Sequence, residues 1–133
     1  MATITNNPNT AAGRYMLLVD NSEYALMTAV AKLDVIIRLM DAGPDKERAI
    51  VQYNTLDREL TYMKDKDSAW IQGNGSVRPP SAAEVAQTQD IADKLEEVTA
   101  TEQGYSRILT LAGDIVNVVN GIFGSPPAPA GNA

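Results

Sequence analysis

The chain contains no cysteine and no histidine. The first absence removes disulfide frameworks, thiol nucleophiles and zinc–thiolate sites. The second removes the commonest general base, the commonest transition-metal ligand and the physiological pH switch. Aromatic residues are scarce, with one Phe and one Trp beside five Tyr, so aliphatic side chains must do most of the packing. Bases are outnumbered by acids, 11 against 17, for a net charge of −6. Affinity for nucleic acid comes largely from neutralising phosphates with Lys and Arg, so no nucleic-acid partner is expected, and an acidic membrane surface is disfavoured for the same reason. Long apolar runs are missing too. The longest tract, residues 108–123, carries Asp114, Asn117 and Asn120 and falls short of the roughly 20 residues a spanning helix needs. No membrane span is expected. Residues 1–10 have neither a basic region nor an apolar stretch and do not read as a Sec-type signal peptide. The compartment stays open: cytoplasm, secretion by another route, or a place within a particle.

What is present fits one all-α domain. A length of 133 residues, 44 % hydrophobic and 21 % charged, is enough for a single core. Residues 1–13, rich in Thr, Asn and Ala with Pro8 and Gly13, read as a flexible arm. Residues 124–133 carry three prolines and read as a Pro/Ala-rich tail that cannot continue a helix. Between them, residues 14–123 read as a helical hairpin over 22–71, a loop over 72–80 and a long C-terminal helix over 81–123. Together these make a three-helix bundle or a coiled-coil-like unit.

The first helix is expected near Ser22, where Asp20, Asn21 and Ser22 offer capping oxygens, and it should stop at Gly43-Pro44. Leu26, Val30, Leu33, Ile37 and Met40 form one stripe at heptad spacing, widened by Met27, Ile36 and Leu39. The segment Tyr15–Val19 suits either a helical turn or a short extended stretch. Pro44 with Asp45 and Glu47 opens a second helix, whose three-four spacing runs through Tyr53, Leu56, Leu60, Met63 and Trp70 and is interrupted by Asp67. Ser81 and Glu84 form a capping box for the C-terminal helix. Its seam runs Ile91, Leu95, Val98, Glu102, Tyr105, Leu109, Ala112, Val116, Val119 and Phe123, with Glu102 out of place. A kink or break is expected around Glu102-Gln103-Gly104, because glycine inside a helix costs about 1 kcal/mol relative to alanine. A second seam, Ile108, Leu111, Ile115, Val118 and Ile122, flanks a small and polar line of Gly113, Asn117 and Gly121.

The motifs that carry chemistry elsewhere fail here on particular residues. Asp65-Lys-Asp67 begins like a calcium loop, but Ala69 and Trp70 stand where an oxygen ligand and the turning glycine belong. Asp90, Asp93, Glu96 and Glu97 read as a solvated helix face with an ordinary Asp90–Lys94 pair. Gly73-Asn-Gly75-Ser lacks the Lys of a phosphate loop, and Asn74-Gly-Ser76 is a formal glycosylation sequon. Tyr53 and Tyr62 suit core packing better than a ligand groove. No catalytic residue, cofactor or metal site is assigned, and an enzyme is not expected.

The expectation is therefore a non-enzymatic structural or assembly subunit that self-associates or joins a larger complex by helix packing. One seam per helix is enough for a simple bundle, so the surplus apolar surface of the C-terminal helix points to an interface. It comprises Tyr105, Ile108, Leu109, Leu111, Ala112, Ile115, Val116, Val118, Val119, Ile122 and Phe123, with Trp70 as an anchor at the neighbouring helix end. The competing reading makes that helix the buried centre of the chain's own bundle. Polar ends around a heptad core, no cysteine and a long C-terminal helix resemble the general look of filament and translocator subunits of bacterial type III secretion machines. A phage structural protein looks much the same. The likeness is one of overall pattern and assigns no residues. The alternative from another class is a monomeric helical binding module, such as a chaperone, an immunity protein or an inhibitor, with an acidic surface.

Overall fold

The structure, a computed structural model, describes residues 10–71 and 79–123, without the side chains of residues 68–71 and 123. Residues 1–9 of the expected arm over 1–13, residues 72–78 of the expected loop over 72–80 and the tail from 124 lie outside the described residues, while Ala11, Ala12 and Gly13 of the expected arm belong to the first helix. The chain is all-α, as its periodicity predicts. The helices are α1 (Ala11–Leu39), α2 (Pro44–Ile71), α3 (Ala82–Glu97) and α4 (Glu102–Phe123).

The first helix starts a full eleven residues before the expected Ser22. Thr10 caps it, its hydroxyl accepting from the Gly13 amide at 2.9 Å. Tyr15, Leu18 and Val19 are then buried in the core, and tertiary burial of this kind outweighs weak local propensity. The polar triplet that resembled a cap serves the interior of the helix instead. The Asn21 amide donates to Thr88 Oγ1 at 3.2 Å, seating α3, and Ser22 is buried. Gly43, at φ 155°, gives the backbone a conformation that other residues rarely adopt, just before Pro44 opens α2.

The C-terminal segment comprises two helices rather than one. The capping box is formed, with Ser81 Oγ accepting from the Glu84 amide at 3.1 Å and Glu84 accepting from the Ser81 amide at 2.9 Å. The break comes at 98–101, ahead of the expected Gly104. Val98-Thr-Ala-Thr101 contains three β-branched residues, whose χ1 freedom a helix restricts. Gly104 nevertheless contributes directly, because a Cβ there would lie 2.2 Å from the Thr99 carbonyl oxygen. The glycine lets the turn fold tightly against the first turn of α4. Lys32 completes the break from outside. Its ammonium donates to the carbonyls of Leu95, Glu96 and Val98, placing a cation on the negative end of α3 where backbone acceptors are left over.

These contacts set the topology. Arg14 donates to the Pro80 carbonyl at 2.8 Å, and Asn21 and Lys32 follow at successive levels of α3, so α3 runs parallel to α1. α2 and α4 return in the opposite direction. α1 packs against all three other helices, and α4 does likewise, whereas α2 and α3 do not meet among the described residues. The bundle is therefore a rhombus in section, with α1 and α4 on its short diagonal and the core between them.

Candidate functional site

The residues assigned to an interface on α4 lie mostly inside this core. Ile108, Leu111, Ala112, Ile115, Val119 and Ile122 are buried, and Tyr105, Leu109, Val116 and Val118 are half-buried and packed against them. Both seams of α4 are covered within one chain because it sits on the short diagonal and touches three helices. Phe123 and Trp70 belong to the ends of α4 and α2, and their side chains are outside the described residues. The line Gly113, Asn117 and Gly121 faces outward: Asn117 and Gly121 are exposed, and a Cβ at Gly113 would meet nothing within 4 Å. At Gly113 no other helix among the described residues approaches closely.

Unspent apolar surface lies on α1. Tyr24, Met27, Val35 and Leu39 are 50, 53, 45 and 69 % exposed, and the exposed Ala31 stands between them. Their spacing of three, four, four and four places them on one side of a helix. The opposite side of the same helix is buried through Ala25, Leu26, Ala29, Leu33 and Ile36. A helix apolar on both sides is characteristic of one with neighbours on both sides. By spacing, Met27 and Leu39 widen the core stripe of α1. The structure separates them, and the Tyr24 hydroxyl, bonded to the Glu96 carboxylate, pins its ring on the outer surface.

A cleft of about 460 Å³ opens where α1 ends and α2 and α4 begin, lined by Ile36, Met40, Arg48, Val51, Glu102 and Tyr105, among others. Its lining mixes an aromatic, an exposed valine and charges of both signs. Among the described residues, no group of three or more Asp or Glu side chains is placed to hold a metal ion. No helix among them is long and apolar enough to cross a membrane.

Asp67, the polar interruption in the seam of α2, has a structural counterpart in Tyr15 of α1. Burial pushes the Tyr15 hydroxyl above its ordinary value, and the facing Asp67 carboxylate adds to the shift. Burial likewise raises Asp67, partly offset by a hydrogen bond from Tyr15, with Asp20 adding repulsion. Burial also raises Glu23, with further contributions from Asp67 and Asp20 and an opposing one from Lys64. Asp20 and Glu23 of α1 and Asp67 of α2 thus lie near enough to one another for their charges to interact. The acidic face of α3 is solvated as expected: Asp90, Asp93, Glu96 and Glu97 are exposed, and Asp90 pairs with Lys94 at 2.9 Å.

No family model, no curated protein and no solved structure matches the chain.

Proposed function

We propose that the protein is a non-enzymatic assembly subunit that associates with copies of itself by helix packing. The observation that carries this reading is the outer face of α1, where four large apolar side chains stand exposed in one row. Scattered apolar residues are normal on a surface, but a contiguous row along a helix marks an interaction site. The absence of His and Cys from the sequence supports a role in binding over one in catalysis. The measurement that tests it is the mass of the full chain against concentration, by sedimentation equilibrium or light scattering. A mass that rises from one chain to a defined oligomer is expected; a single-chain mass up to millimolar concentration would overturn the reading.

A second reading, a monomeric binding module, draws support from the cleft at Tyr105 and Arg48 and from the exposed carboxylates of α3. It expects the single-chain mass, with a ligand or partner protecting the amides that surround the cleft.

A further inference from the structure

The cleft at the start of α2 and α4 is separate from the exposed row of α1. Ile36, which lines it, belongs to the buried side of that helix and is 1 % exposed, so the cleft and the row stand on different sides of α1. A volume of about 460 Å³ falls within the roughly 300–1,000 Å³ of small-molecule sites. Much of the wall is apolar. Met40 and Tyr105 are half-buried there, and Val51 is 60 % exposed although it faces a concave surface. Covering these side chains removes apolar area from water, which favours an occupant with an apolar body.

The charges around the cleft differ in how far the chain itself satisfies them. Arg48 donates to the Asp45 carboxylate, and Lys46 donates to the Met40 carbonyl at 3.3 Å. Both cations are thus engaged within the chain. Glu102, exposed in the first turn of α4, makes no hydrogen bond or ion pair among the described residues, and neither does the Tyr105 hydroxyl. A ligand seated in the cleft displaces water from the Glu102 carboxylate. If the ligand is neutral, that loss goes uncompensated; if it is an anion, repulsion from Glu102 and Asp45 adds to it. A cation offsets both. Tyr105, three residues after Glu102, shares its side of the helix, and an aromatic ring beside a carboxylate also favours a cation through its π face.

We propose that this cleft binds a small organic cation, a protonated amine or a guanidinium on an apolar body. Glu102 holds the charge, and Ile36, Met40, Val51 and Tyr105 hold the body. The inference rests on one half of the second reading, that a ligand binds at the cleft, and not on the chain being monomeric.

Amide NMR titration of the full chain with tryptamine, and with its neutral and anionic counterparts tryptophol and indolepropionic acid, separates charge from shape. Tryptamine should shift the amides around Arg48, Val51, Glu102 and Tyr105 and bind about fivefold more tightly than tryptophol, with indolepropionic acid the weakest. Glu102→Gln should cost tryptamine about fivefold while leaving tryptophol almost unchanged. Glu102→Lys should reverse the order of tryptamine and indolepropionic acid. Circular dichroism checks that both variants keep the helical signal of the wild type. Tryptophol or indolepropionic acid binding at the same amides as tightly as tryptamine keeps a ligand at the cleft and overturns the cationic class. Tryptamine affinity unchanged in both Glu102 variants overturns Glu102 as the group that holds the charge, and the proposal with it. No shift at these amides from any of the three compounds at millimolar concentration overturns the site and the ligand-binding half of the second reading together. A chain that binds tryptamine there yet gains mass with concentration keeps the site and overturns only the monomeric half.

Discussion

α1 and α4 are the two most apolar helices of the chain, and they deploy that surface in opposite ways. α4 looked oversupplied in sequence because it carries two seams, yet its position on the short diagonal of the bundle gives each seam a neighbour. α1 looked ordinary, with one broadened heptad stripe, yet only one side of it faces the core and the row Tyr24, Met27, Val35 and Leu39 remains outside. Apolar content in a helix therefore says how much surface must be covered; the arrangement of the other helices says which part the chain covers for itself. The two cases separate an intramolecular core from a candidate intermolecular one.

The sharpest way to break this comparison is a matched pair of charges. Val119 is 2 % exposed, so Val119→Asp buries an unpaired carboxylate and should cost more than about 4 kcal/mol, seen as loss of the cooperative thermal transition. Met27→Asp, on the exposed face of α1, should change the stability of the single chain by less than about 0.5 kcal/mol. If Val119→Asp instead leaves the fold intact and abolishes only self-association, the roles of the two helices are reversed.

Two glycines sharpen the picture within α4. Gly104→Ala should destabilise the chain by about 1–3 kcal/mol, because the added methyl group meets the Thr99 carbonyl at 2.2 Å. Gly113→Ala meets open space and should stabilise the helix by up to about 1 kcal/mol. Urea denaturation of both variants reads the difference in sign. Equal effects would show that the turn at 98–101 does not seat α4 tightly.

On α1, Lys32→Met tests whether this helix organises its neighbour as well as offering an outer face. Losing the cation on the last carbonyls of α3 should cost about 1–2 kcal/mol. Amide exchange should accelerate around residues 94–101 more than in α2. Burial lowers the Lys32 pKa below its ordinary value, so some of the lost capping energy is returned as relief of desolvation.

The smallest effect concerns pH. Glu23, Glu59 and Asp67 have folded-state pKa values raised chiefly by burial. The folded chain thus retains protons at pH values where the unfolded chain has released them. The stability they contribute is full below the ordinary carboxylate range of about 4 and is lost as pH rises through the folded values. Melting temperature should therefore decline from mildly acidic to neutral pH. Asp67→Asn should flatten part of that decline and raise neutral-pH stability by no more than about 1 kcal/mol once solvent screening is included. A rise in melting temperature toward neutral pH would contradict the burial of these carboxyls.

Much of the fold was legible in local chemistry. The Ser81–Glu84 capping box and the start of α2 at Pro44 depend on residues within one turn of each other, and both are present as read, whereas α1 stops at Leu39, ahead of the expected Gly43. The start of α1 was not legible, because Asp20-Asn21-Ser22 has the composition of a cap while Asn21 and Ser22 are engaged or buried through contacts made by distant helices. The break before α4 was only half legible. Gly104 drew attention to the region, but the cation that holds the freed carbonyls comes from Lys32, more than sixty residues earlier in the chain.

By itself the sequence determined an all-α chain without thiol or imidazole chemistry, with helices at heptad spacing and with more apolar surface than one stripe per helix requires. These follow from composition and short-range periodicity, which act within a few residues. Only the tertiary structure decided that the chain folds α4 into its own core and leaves one face of α1 outside. Burial is a property of packing among helices far apart in sequence, and spacing along any one of them does not contain it.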